Sequence, residues 1–357
     1  MNPSCDTTVR KPRQSNIELL RIVAMFLVLI VHSDFWALDP PVKEDFAVAP
    51  LSAWTKSFFE FIGIVCVNTF VLISGWFGIK PTVKGFLNFI FQCLFFLLGI
   101  YFTVHILHGT TAEISPNGVW RYLSEHHGNW FVTAYACLYI LSPLLNLYLK
   151  KTTRRQQKIV LIVFFAFQTI FGWITRSAHF IQSGYTAFSL VGLYLLGRYT
   201  NSHMPKLRGK TSICLGIYAI TVILDTLGFY AVRQYGSNLH MYAYVNPLVI
   251  IGALSLVLAF DSMKIGYCKT INFIAKSSFA VYLLHTGWQA SDIFIQSIRD
   301  IFARFDGILC VAMIFIFITA VFATAVILDQ PRKWIWNGMV RLCGRVREKF
   351  DKHQIQL

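Results

Sequence analysis

A chain of 357 residues with a net charge of +15, 55% hydrophobic and only 14% charged, departs from soluble composition, in which charged residues approach a quarter. Mean hydropathy is +0.55, and the apolar residues come in blocks of about 20, the length that crosses a hydrocarbon core of about 30 Å. These figures exclude a soluble globular protein and predict an all-α, polytopic membrane helix bundle of about ten transmembrane helices.

Residues 1–15 form a polar, basic N-terminal tail. The first apolar run is not followed by a small-x-small cleavage site, so it is expected to be retained as a span. Spans are expected near 16–38, 55–79, 86–108, 129–149, 157–176, 183–200, 211–232, 243–261, 277–297 and 307–328. Breaks are marked by Pro40-Pro41, Lys80-Pro81, Pro116-Asn117-Gly118 and Pro205. No internal repeat and no separate soluble domain stand out. Residues 16–335 read as one membrane domain and 336–357 as a basic tail, with the extramembranous part beginning near Gln330.

The basic residues fix an expected orientation. With the N-terminus inside, 24 of the 32 Lys and Arg fall on the cytosolic side and seven on the other, leaving Arg21 within a helix. A bias this strong in short loops is the positive-inside signal. Both termini are expected to be cytoplasmic, and the net charge needs no nucleic acid to explain it. The eight cysteines are scattered without a C-x-x-C pair, which argues against a zinc site or a disulfide framework.

Taken in chain order, the polar residues inside apolar blocks ask for explanation, because ionisable groups in hydrocarbon are costly. In IELLRIVAMFLVLIVHSDFW (17–36), Glu18 lies three residues before Arg21 on the same helical face. His32 follows Arg21 by eleven residues, close to three turns and about 16 Å along the same face. In the second span come Asn68, Ser74 and Gly75, where Ser and Gly signal close helix packing. The fourth opens on Asn129-Trp130, continues through Tyr135 and Tyr139, and is expected to kink or end near Pro143. The ninth carries His285 in SSFAVYLLHT, and LDQPRKW closes the last. His105, His108, His126 and His127 cluster near the outer face without metal-ligand spacing, and no metal site is expected. The bland reading of His32 is a single interhelical hydrogen bond, common in membrane bundles.

Together these stretches resemble the integral-membrane acyltransferases of the acyltransferase type-three family, bacterial O-acetyltransferases of surface glycans. The resemblance runs from about residue 15 to 335. It rests on Glu18, Leu20-Arg21 and His32; on Phe70 to Ser74-Gly75; on Trp130-Phe131-Val132 with Tyr139 and Pro143; on Ser278 to Tyr282-Leu283 and His285; and on Asp329, Pro331 and Lys333. Many relatives carry Glu five residues after the fourth-span Trp, where this chain has Tyr135. The basic loop after Ser-Gly is reduced here to Lys80 and Lys84.

The resemblance implies transfer of an acetyl group from acetyl-CoA to a hydroxyl of a surface glycan or its lipid-linked precursor, in the bacterial cytoplasmic (inner) membrane. No bound cofactor is implied; acetyl-CoA is a substrate. The imidazole of His32 suits a general base or an acyl carrier, since its ordinary pKa lies near working pH. Arg21 is suited to hold Glu18 or to meet donor phosphate or thioester oxygen, and these three form the expected catalytic set. Asn68, Ser74, Trp130, Tyr135 and His285 are expected to line the substrate site. The competing reading is a transporter or flippase for a lipid-linked sugar or small solute.

Overall fold

A backbone in hydrocarbon must satisfy its own hydrogen bonds, and apolar runs of this length do so as helices. The computed structural model describes residues 13–111, 114–125, 129–204 and 209–354, and every regular element among them is helical. The first is α1 (Ser15–Ser33), interrupted at Asp34 and continued by α2 (Phe35–Leu38). Then come α3 (Asp45–Val48), α4 (Pro50–Gly63), α5 (Cys66–Phe77), α6 (Val83–Leu107) and α7 (Pro116–Glu125). The middle of the chain forms α8 (Trp130–Lys151) and α9 (Arg154–Phe167), the latter prolonged by a wider turn at Gln168–Ile174 and a tighter one at His179–Gly184. The rest forms α10 (Ala187–His203), α11 (Thr211–Tyr235), α12 (Pro247–Ser262), α13 (Lys269–Ala275), α14 (Ser278–Thr286), α15 (Trp288–Arg304) and α16 (Gly307–Gln354).

Among the described residues, seven segments are long and apolar enough to cross a membrane: 15–38, 50–77, 83–107, 130–151, 154–174, 211–235 and 307–344. The other three expected spans correspond to α10, α12 and the α14–α15 pair. At 17 and 16 residues, α10 and α12 are about 24–26 Å long, short of the full core. They lie inside the bundle, with Leu193, Tyr194, Val249, Ala253 and Val257 at 2% exposure or less, and meet protein more than lipid.

Several boundaries differ from expectation for local reasons. The second span is two helices, α4 and α5, joined at Ile64–Val65. The ninth breaks at Gly287, where α14 gives way to α15. Pro143 does not end α8: it leaves the carbonyl of Tyr139 without its helical donor, and the Ser142 hydroxyl donates to that oxygen at 2.7 Å. Pro331 likewise lies within α16, so no break falls near Gln330. Most of the expected N-terminal tail, residues 1–12, lies outside the described residues, as does Pro205.

At the centre, α5 and α10 cross at backbone contact. A Cβ on Gly75 would fall on the backbone of Tyr194, and one on Gly197 on the backbone of Leu72. Small residues permit this approach in membrane bundles. Helix α1 runs through the same core. At its first turn the Asn16 side chain donates to the carbonyls of Phe260 (3.0 Å) and Asp261 (3.2 Å). At its far end Arg299 Nε donates to Ala37 O at 2.7 Å, and Lys56 Nζ to Leu38 O at 2.9 Å.

Candidate active site

The last turn of α1 and the last turn of α14 each present a histidine to the other. His32 Nδ1 and His285 Nε2 are 2.8 Å apart, and His285 Nδ1 lies 2.6 Å from the carbonyl oxygen of Val281. A carbonyl only accepts, so the His285 proton is on Nδ1 and its Nε2 is an acceptor. With both rings neutral, His32 Nδ1 donates to that acceptor, and the lone pair of His32 is on Nε2. The proton positions follow from the partners. His285 is 2% exposed and packs on Phe294 at 5.2 Å. His32 is half-buried, with the half-exposed Trp36 ring 4.7 Å away. The pair is therefore an imidazole, His32, whose Nδ1–H is held by a fixed acceptor.

Three turns back on the same face of α1, Arg21 donates to Glu18 Oε1 at 2.8 Å, and Arg13 meets the other carboxylate oxygen at 3.3 Å. Glu18 is 5% exposed, so its charge is answered by two guanidinium groups rather than by water. Between Arg21 and the Tyr282 ring, which lies 6.4 Å from that of His32, is a cavity of about 260 Å³. Arg21 and Lys276 line it, as do the aromatic rings of Phe131, Phe279 and Tyr282. Ser74 and Tyr135 also face it. The Ser74 hydroxyl donates to Phe70 O at 3.0 Å, so at the 3.2 Å contact the Tyr135 hydroxyl donates to Ser74 Oγ.

The family model for an acyltransferase domain matches residues 14–329. The chain belongs to the acyltransferase type-three family. No curated protein and no solved structure matches it. The protein is thus a membrane acyltransferase in the general sense of that family, with multiple apolar helices in a lipid bilayer.

Of the residues expected to act in this acyltransferase, the structure brings His32 and His285 into direct contact and puts Arg21, Ser74 and Tyr135 on one cavity. Glu18 sits behind Arg21. Asn68 and Trp130 are not on that wall. Asn68 is wholly buried and donates to Tyr244 O at 2.9 Å. The Trp130 ring meets Tyr185 edge-on (4.5 Å) and lies tilted beside Tyr244 (5.7 Å), in a neighbouring aromatic cluster. The closing Asp329 forms a junction between helices: it bonds Arg332 at 2.7 Å and Lys333 at 3.0 Å, and Lys333 donates to Ser277 Oγ at 2.6 Å. His105 bonds Thr110 Oγ1 at 2.7 Å; His126 and His127 lie outside the described residues.

Sequence reasoning gave no role to Asn129. Its side chain accepts from the Tyr282 hydroxyl, donates to Thr286 Oγ1 at 2.6 Å, and caps α8 by accepting from Phe131 N at 3.3 Å. It thereby pins the start of α8 to the helix that carries His285. Its place as an Asx residue before an apolar run was a cap signal, but its partners, more than 150 residues away, had none.

Proposed function

We propose that the protein moves an acetyl group from acetyl-CoA to a hydroxyl of a surface glycan or its lipid-linked precursor, with His32 as the base. The observation that carries this reading is the His32–His285 hydrogen bond, which leaves Nε2 as the lone-pair nitrogen of a neutral His32; Tyr282, whose ring is 6.4 Å from that of His32, lines the cavity that reaches Arg21. In direct transfer, His32 Nε2 takes the hydroxyl proton as the sugar oxygen attacks the thioester carbonyl. The tetrahedral adduct then expels the thiolate, which recovers the proton from His32 as free thiol. By accepting from His32 Nδ1–H at its own Nε2, His285 steadies the imidazolium between these steps. Prior attack by His32 itself, giving an acetyl-imidazole that the sugar oxygen then opens, uses the same groups.

A cavity of about 260 Å³ suits the narrow acyl-bearing end of the donor and excludes its nucleotide. The nucleotide phosphates then fall outside, toward Arg21 and Lys276. With the N-terminus in the cytosol that end faces the donor pool, as expected for a bacterial inner-membrane enzyme with both termini inside.

Proteoliposomes given acetyl-labelled acetyl-CoA and a glycan acceptor test the reading. The expected result is label in a base-labile ester. His32→Ala abolishes it while membrane insertion persists, and Arg21→Ala nearly does. Full activity of the His32 variant, or vectorial movement of unmodified sugar without ester formation, overturns the proposal.

A further inference from the structure

A second cavity, of about 590 Å³, is larger than the one beside Arg21. It is a lateral cleft between α1, α4 and the start of α16, on the face of α1 that carries Ile30, Ser33 and Asp34, and His32 is not among the residues that line it. Its walls are apolar: Phe59 on one side, Ile314 and Ile318 on the other. On α16 it extends from Gly307 to Ile318, a rise of about 16 Å, close to the depth of one leaflet of a hydrocarbon core of about 30 Å.

The polar end of the cleft is unbalanced. Asp34 is 5% exposed and lines the cavity, yet both its carboxylate oxygens lack a hydrogen-bond partner. Glu60, 1% exposed, lies within electrostatic reach of Asp34, and its Oε2 is also unpartnered. Lys56 is the cation beside Asp34, and it spends hydrogen bonds on two backbone carbonyls, Leu38 O at 2.9 Å and Asp39 O at 2.6 Å. Two carboxylates therefore face one ammonium in a place from which water is largely withdrawn. A buried carboxylate without donors is costly, and the missing group is one that brings N–H donors and positive charge while its remainder is hydrocarbon.

We propose that this cleft binds one bilayer phospholipid with a primary-ammonium headgroup, of the phosphatidylethanolamine type. On binding, the Asp34 carboxylate turns into the cleft and accepts from the ammonium, the lipid phosphate lies toward the remaining N–H of Lys56, and an acyl chain runs along Phe59, Ile314 and Ile318. The zwitterion pairs its two charges with Lys56 and Asp34, the carboxylate that lines the cleft. An anionic lipid would add negative charge to an end that already has an excess of it. The site does not depend on the acyl-transfer reading.

The test uses the full chain in nanodiscs of equal phosphatidylethanolamine, phosphatidylcholine and phosphatidylglycerol, with lipids retained on detergent extraction counted by native mass spectrometry. Phosphatidylcholine is the same zwitterion without N–H donors, so the comparison isolates the bonds to Asp34. Retention of one ethanolamine lipid per chain is expected, about tenfold over choline lipid, as fits hydrogen bonds to a charged acceptor. Asp34→Asn removes the preference. Ile314→Trp fills the chain channel with the carboxylate intact and lowers retention of that lipid, so the test stands even where the Asp34 variant fails to fold. Elution profile and melting temperature check folding in both. Equal retention of ethanolamine and choline lipids, preference for the glycerol lipid, or unchanged retention in either folded variant overturns the proposal.

Discussion

His285 contributes to the site through what it accepts. Its Nδ1 proton is committed to Val281 O, so its other nitrogen offers His32 a lone pair and nothing else. Under the proposed chemistry, His285→Gln keeps an acceptor within reach of His32 Nδ1–H, whereas His285→Leu takes it away. The expected outcome is a fall in kcat of about 10²-fold or more for the Leu variant and a smaller fall for Gln, with KM for acetyl-CoA little changed in either. Steady-state kinetics in proteoliposomes reads both. Equal loss in the two variants would mean that ring packing, not proton placement, is what His285 supplies.

A second residue-scale expectation concerns the loop between α11 and α12. His240 is bonded to Ser183 at 3.0 Å through Nδ1, and its carbonyl accepts from Trp173 Nε1 at 3.0 Å. Burial, with the guanidinium groups of Arg176 and Arg233 nearby, pushes its imidazole down to about 4. Between 6.5 and about 4 the unfolded chain binds a proton that the folded one refuses, so stability is lost as pH falls through that window. Thermal melts at pH 7.5 and pH 5 should diverge more for the natural protein than for His240→Gln.

At the scale of elements, the crossing of α5 and α10 is the tightest constraint. A methyl group on Gly75 meets the Tyr194 backbone, which cannot swing aside as a side chain can. Gly75→Ala is expected to cost about 1–3 kcal/mol, the usual range for overpacking, and to lower the melting temperature along with activity. An unchanged melting temperature would show that the helices part without penalty. The Ser-Gly pair was legible in the sequence as a close-packing signal, and so was the Glu18–Arg21 pair, because both are local. The division of the second span into α4 and α5 was not, since Ile64–Val65 is as apolar as its surroundings. Nor was the passage of α8 through Pro143, which depends on a hydroxyl one residue away satisfying a single carbonyl.

At the scale of the molecule, the sequence told more about which segments are apolar than about which meet lipid. Hydropathy marks α10 and α12 as spans, but only packing reveals them as short inner helices. The same limit applied to the site. His32 stood out because it interrupts an apolar run, and His285 was noticed too, but the 2.8 Å contact joins residues 253 positions apart. The buried carboxylates of Asp34 and Glu60 gave no signal, because each sits near a predicted helix end where charge is ordinary. The orientation read from Lys and Arg remains to be tested at this scale. Reporter fusions truncated after Ser237 should be active only outside the cytosol, and those after Lys264 only within it. The reverse pattern would turn the cavity proposed for the donor away from the acetyl-CoA pool.

The chain of imidazoles stops at an amide oxygen. Nothing beyond Val281 O can accept a proton in turn, so the pair is a dead end for conduction, not a wire from one face of the membrane to the other. Under the proposed chemistry, a hydrogen ion captured by His32 must leave by the nitrogen that received it, and each turnover then closes without net charge crossing the bilayer. Acyl transfer by such a site should run at the same speed whether a potassium–valinomycin diffusion potential is imposed on the vesicles or collapsed.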